Sequence, residues 1–164
     1  MNTLHKAIDQ LEEFMTSTEK TVLIKGTQHF KKHLLALHII GNVTEKCNIL
    51  FRCNTIHNAG DFLKTKTPAR AGKAYLFDNE HSVYIDTNSR FTWGKSPKEV
   101  DYSIVYPIDS LCKEYNKEVI IEDIIQRTKK KIFLISCKDV HDYQWLNQYV
   151  QRYVIYDQKQ AKSI

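Results

Sequence analysis

The chain has no apolar run approaching the ~18 residues needed to span a bilayer, which argues against a membrane-spanning helix. Its opening segment, "MNTLHKAIDQLEEFM", carries acids and lacks the apolar core of a signal peptide, so export is not expected and a cytoplasmic location is. Four cysteines (Cys47, Cys53, Cys112, Cys137) are scattered without a CxxC pair. The seven histidines do not supply the missing short-spaced ligands, so neither a structural zinc nor any other metal is expected. Cys47, Cys53 and Cys137 lie in or beside strand-like runs, where a reduced thiol behaves as a small hydrophobe. No elbow glycines accompany Cys137 or Ser136, and no acidic pair shows the E-x-K spacing of a restriction-type nuclease. Internal repeats, low-complexity tracts and interdomain linkers are also lacking.

What is present is ordinary for a globular chain of 164 residues: 42% hydrophobic, 26% charged, and a net charge of +5 from 24 basic and 19 acidic residues. The length fits one domain over 1–164, and the mild basic excess is compatible with a polyanionic partner without demanding one.

Periodicity places elements along the chain. Asn2 to about Ser17 predicts an amphipathic helix through Leu4, Ile8, Leu11 and Phe14 or Met15, with Asn2 or Thr3 as cap. Thr21 to Lys25 predicts a strand, Phe30 to Ile40 a helix ending at Gly41-Asn42, and "KCNILFRC" a second strand. Residues 54–97 read as an insertion: the turn-rich, basic "NTIHNAGDFLKTKTPARAGKA", a hairpin of "AYLFD" and "SVYID" turning at Asn79-Glu80-His81, then the loop "TNSRFTWGKSP". "YSIVYP" predicts a strand, Glu118 to Lys130 a helix, "KIFLISC" a strand, "HDYQWLNQYVQ" a short helix and "RYVIYD" a closing strand. Alternation of this kind implies crossover units, hence an α/β fold with three α/β/α layers, a mainly parallel sheet and a β-hairpin insertion.

In such sheets ligands bind beyond the carboxyl ends of the strands, which is where Gly26 falls. "GTQHFKKH" keeps Gly26 and Lys32 of the phosphate loop G-x-x-x-x-G-K-[ST], but Lys31 replaces the second glycine and His33 the hydroxyl residue. Lys31 crowds the backbone approach to phosphates, and neutral His33 is a poor partner for Mg²⁺. Gly26, Lys31, Lys32 and His33 are therefore candidates for an anion site at a helix N-terminus rather than for catalysis. A second match, "GDFLKTKT", keeps Gly60, Lys66 and Thr67 but has no strand before it and Pro68 directly after it.

From Thr21 to Asp157, interrupted by the hairpin region, the architecture resembles the RecA/AAA-like P-loop NTPases. "YSIVYPIDSL" is similar to a Walker B strand, and "KIFLISC" occupies the place of the following core strand. The resemblance implies an ATP/Mg²⁺ site with Asp109 near the metal-positioning acid, and the chain departs from it at the second glycine, the hydroxyl and Pro107. The expectation is a fold without turnover and without a bound cofactor.

Two basic clusters stand out: Lys64, Lys66, Arg70 and Lys73 in one loop, and Arg127 with Lys129 to Lys131 in another. The first, with Tyr75, Phe91 and Trp93 as stacking surfaces, is the candidate nucleic-acid contact. The second also suits cations complementing a helix C-terminus. Asp78, Glu80, Asp86, Glu99 and Asp101 would serve a metal-dependent nuclease but also suit turns. Cys137 with His141, oriented by Asp139 or Asp142, is the corresponding nucleophile candidate. Tyr143, Trp145, Tyr149, Tyr153 and Tyr156 would form either core or a protein-binding face.

Three functions follow. The first is a non-catalytic P-loop-like binding protein in a DNA- or RNA-handling assembly, with nucleic acid and protein partners and no membrane. The others are an active enzyme (an atypical NTPase or a nuclease) and a protein-binding subunit or inhibitor.

Overall fold

A computed structural model describes residues 3–77 and 80–158. Helix α1 (Leu4–Thr16) leads into strand β1 (Thr21–Lys25), followed by α2 (Lys32–Gly41), β2 (Asn48–Cys53) and α3 (Ile56–Leu63). Then come β3 (Ala74–Phe77), β4 (His81–Thr87), the single-turn α4 (Arg90–Trp93) and β5 (Val100–Val105). The chain continues through α5 (Lys117–Arg127) and β6 (Thr128–Ile135) to β7 (Arg152–Ile155), with 3-10 turns at Ile108–Leu111 and Gln144–Leu146.

Among the described residues the strands form one seven-stranded sheet in the order β3-β4-β2-β5-β6-β1-β7. All neighbours are parallel except the antiparallel β3–β4 hairpin. The α/β expectation therefore holds. The hairpin is no appendage: β4 pairs with β2 from Asn48↔Ser82 to Cys53↔Thr87, which extends the sheet and leaves β3 as its edge.

Strand alternation splits the core in two. Val22, Ile24, Phe51, Ile104, Phe133 and Ile135 face α1, α2 and α3 on one side. Leu23, Leu50, Val105, Ile132 and Leu134 face α5 and the 3-10 turns on the other. In α1 the buried line is Ala7, Leu11 and Phe14, while Leu4 is exposed and Ile8 and Met15 are partly covered. Thr3 occupies the N-cap; Asn2, the other candidate cap, lies outside the described residues.

Four local expectations are corrected. The stretch after Asn54 contains a helix: Thr55 caps α3 by accepting a 3.0 Å hydrogen bond from Asn58 N–H, so residues that read as a turn form its N-terminus. Part of the expected loop after Thr87 is the turn of α4. The helix expected to reach Lys130 ends at Arg127, and β6 starts at once with Thr128. The segment around Trp145 makes one 3-10 turn rather than an α-helix. Among the described residues no helix is long and apolar enough to cross a membrane.

Candidate functional site

The loop after β1 is closed by the chain itself. Gly26 has φ 118°, and a Cβ there would lie 2.3 Å from the Tyr156 carbonyl oxygen, so only glycine fits. The Gly26 amide donates to Asp139 Oδ2 (3.1 Å) and the Thr27 amide to Asp157 Oδ1 (3.0 Å). Gln28 N–H donates to the Tyr156 carbonyl at 3.1 Å. The amides that would cradle a phosphate are thus bound to carboxylates and a carbonyl of the segments following β6 and β7.

Lys32, the loop's cation, is fully buried and donates to the carbonyls of Gly26 (2.6 Å) and Cys137 (3.1 Å). Burial pushes its ammonium below the ordinary lysine range, partly countered by Asp139, Cys137, Asp109 and Asp157 around it. Asp109 is also engaged, accepting from the amides of Cys137 (2.9 Å) and Lys138 (3.0 Å). Of the four anion-site candidates, Lys31 at the α2 N-cap alone is exposed. His33 turns into the core, stacked 4.3 Å from the Tyr106 ring and beside Phe62, and burial lowers its pKa to about 4. At neutral pH it is therefore uncharged and brings no positive charge to an anion. The second match is no phosphate loop, because Gly60 sits inside α3 rather than after a strand.

The loop from Lys64 to Lys73 joins α3 to β3. Lys64 ends α3 in the left-handed region, at φ 54° and ψ 48°. Arg70 N–H donates to the Tyr75 hydroxyl (2.9 Å), and Lys73 Nζ lies 5.1 Å from the centre of the Tyr75 ring. These contacts fold the loop back on the edge strand. Two hollows result. A cavity of about 300 Å³ lies between Lys64, Lys66 and Lys73 on its rim and Tyr75, Phe77 and Val83 beneath. A wider groove of about 720 Å³ is bordered by Arg70, Lys73 and Lys95, with Ile56, Gly72 and Thr92 between them. Among the described residues neither hollow is lined by an acid.

The structure thus brings Lys64, Lys66, Arg70 and Lys73 around two neighbouring hollows and adds Lys95, which is not among the cations singled out from the sequence. Of the stacking candidates, Phe91 stands 95% exposed on α4 next to that groove, and Tyr75 is half-buried. Trp93 is buried instead: its indole N–H donates to the Thr87 carbonyl at 2.8 Å, and the Arg52 guanidinium lies 4.4 Å from its ring centre.

The second basic cluster is occupied by structural contacts. Arg127 chelates Asp123 (2.9 and 3.0 Å) and donates to the Pro97 carbonyl, and Lys129 pairs with Glu99 at 3.0 Å. Lys131 is buried, donating to the carbonyls of Ser17 and Glu19. The candidate nuclease acids are dispersed as well. Asp86 is buried against Arg52, Asp101 accepts from the Asn48 amide, and Asp78 lies outside the described residues. Among the described residues no group of three or more His, Cys, Asp or Glu converges where a metal could sit. Cys137 Sγ meets the Tyr106 hydroxyl at 3.5 Å, a contact within the core. The C-terminal aromatics divide: Tyr143 and Tyr156 are buried, Trp145 and Tyr149 partly covered, and Tyr153 is about half exposed.

One arrangement, centred on Arg52, is not anticipated from the sequence, although its partner Asp86 stands there as a candidate nuclease acid. Fully buried Arg52 on β2 forms a bidentate pair with Asp86 on β4 (2.8 and 2.9 Å) and reaches Asp123 on α5 at 2.8 Å. Ser96 donates to the same Asp86 carboxylate at 2.8 Å. Burial alone would raise the Asp123 carboxyl, but the Arg127 and Arg52 guanidiniums hold it below its usual range. The available signal is an arginine within the apolar run "NILFRC". Its partner becomes visible only through the register Arg52↔Asp86.

No protein-family model and no curated protein matches the chain.

Proposed function

We propose that this protein is a non-catalytic nucleic-acid-binding component of a DNA- or RNA-handling assembly, built on a P-loop-like scaffold whose phosphate loop is closed by its own aspartates. The observation that carries the reading is a pair of hollows that share Lys73, lined by Lys64, Lys66, Arg70, Lys73 and Lys95 and, among the described residues, by no acid. A concave surface of one charge sign concentrates a polyanion, and the exposed Phe91 beside it offers a face on which a base can stack.

The Gly26 loop supports the non-catalytic half. Phosphoryl transfer relies on a lysine and backbone amides free to meet phosphate, together with an acid that positions Mg²⁺. Here Lys32 is bound to two carbonyls, the amides to Asp139 and Asp157, and Asp109 to two amides. Nucleotide binding would have to break these contacts, so neither ATP nor Mg²⁺ is part of the proposed function.

The test is fluorescence anisotropy with a labelled single strand across a range of salt. Changing Lys64, Lys66, Arg70 and Lys73 together to alanine should weaken binding at least about tenfold at low salt. It should also reduce the slope of log K against log salt by about 3, near 0.7 for each lost phosphate contact. All four side chains are exposed, so the thermal midpoint should stay within about 2 °C of the parent. Unchanged affinity would refute the assignment.

A further inference from the structure

We infer that the cavity between the Lys64–Thr67 turn and β3 receives one nucleobase of a single strand, with Lys64, Lys66 and Lys73 holding the flanking phosphates. This rests on the reading above and goes beyond it by specifying the strandedness of the ligand and the seat of a base. The cavity, about 300 Å³, lies at the lower end of the range for small-molecule pockets. Its walls have two chemistries. Tyr75, Phe77 and Val83 provide aromatic and apolar surface, and the three lysines form a cationic rim. An apolar floor under a ring of cations matches a flat ring joined to a phosphodiester. It does not match a free phosphate, which has no use for the floor, or an uncharged apolar ligand, which has none for the rim.

Thr65 and Thr67 also line the cavity, and a threonine hydroxyl can both donate to and accept from the polar edge of a base. A duplex cannot use this pocket, because its bases are stacked and paired; a single strand can turn a base inward at far lower cost.

The backbone supplies an independent observation. Lys64 sits at φ 54° at the end of α3, in a conformation that glycine adopts with less strain at helix C-termini. The residue kept in that strained position is one whose side chain lines the cavity. Strain retained at one residue is a marker of a positional demand.

The experiment uses the full chain and two labelled strands of equal charge, each roughly twelve nucleotides long: an oligothymidylate and a wholly abasic one. The parent protein should bind the abasic strand at least about tenfold more weakly, the contribution of one seated base. Thr67→Trp, a change at the exposed rim that fills the cavity, should remove most of the preference for oligothymidylate, leaving only what stacking on Phe91 contributes, and leave abasic binding unchanged. Lys64→Gly should raise the thermal midpoint while lowering affinity for both strands, so weaker binding there cannot be ascribed to a damaged fold. Equal affinity of the parent for the two strands would overturn the base pocket, as would a Thr67→Trp protein that keeps the full preference for oligothymidylate. If both strands bind equally and the four-alanine variant binds neither, the pocket falls while the basic surface stands. If no strand binds the parent, both fall.

Discussion

Replacing Asp86 with alanine is expected to destabilise the fold by about 3–5 kcal/mol, the usual cost of leaving a buried charge without its partner. Arg52 is fully buried, and two of its nitrogens are bound to Asp86, at 2.8 and 2.9 Å. With Asp86 gone, Arg52 keeps Asp123 at 2.8 Å and a longer 3.4 Å bond to the Ile120 carbonyl, which leave the Nε and Nη2 donors unsatisfied. Ser96 loses its acceptor as well. Urea unfolding at neutral pH measures the loss. Making both sites apolar at once, as Arg52→Met with Asp86→Leu, should cost clearly less than Asp86→Ala alone, because a matched apolar pair leaves no buried arginine charge. A double variant as unstable as the sum of its single changes would show that the network's value lies outside the pairing.

Acidification is expected to remove about 3 kcal/mol between roughly pH 7 and pH 4 through His33 alone. Its pKa is lowered by burial from 6.5 to about 4, so in that window the unfolded chain binds a proton that the folded chain refuses. The stabilisation is whole above the unfolded value and is lost as pH falls toward the folded one. Asp123 and Glu19, held below their usual ranges in the folded chain, withdraw their contributions at lower pH. Urea unfolding at several pH values should therefore show a slope that His33→Phe flattens. That variant retains an aromatic ring to stack between Tyr106 and Phe62. A His33→Phe protein with the parental pH dependence would contradict the assignment.

Much of the scaffold can be read from residue patterns, for reasons visible in particular elements. β1 and the Ile132–Ile135 half of β6 are apolar on both faces because helices cover both, and an unbroken run of that length is a strand's signature in a parallel sheet. The β3–β4 hairpin is legible from two short runs around a turn, but β4's position beside β2 is not, since pairing between distant strands leaves no local mark. Helix α3 is obscured by its own cap: Asn54, Thr55 and Asn58 look like turn residues and serve as hydrogen-bonding residues at a helix start. Arg127 to Lys130 read as the cationic last turn of a helix. In the fold α5 passes directly into β6 there, and the Thr128 hydroxyl donates back to the Ile124 carbonyl at 2.6 Å.

The proposed surface is legible in part as a cluster of charge. The basic loop is visible as four cations without an acid between them, yet Lys95 joins it only through tertiary structure. At the Gly26 loop, the substitution of Lys31 and His33 into a phosphate-loop frame marks the departure from that chemistry. What residue types cannot reveal is that the Gly26 and Thr27 amides are bound by Asp139 and Asp157, 113 and 130 residues away.

The most direct test of the account is to record backbone amide NMR shifts while a short single strand is titrated into the protein. The account predicts shifts concentrated from Leu63 to Phe77 and from Arg90 to Lys95, with the amides of Gly26, Thr27 and Gln28 unmoved because they remain bound to the chain's own oxygens. Shifts centred on Gly26 to Lys32, with the Lys64–Lys73 loop unaffected, would place the anion at the phosphate loop and contradict the central claim.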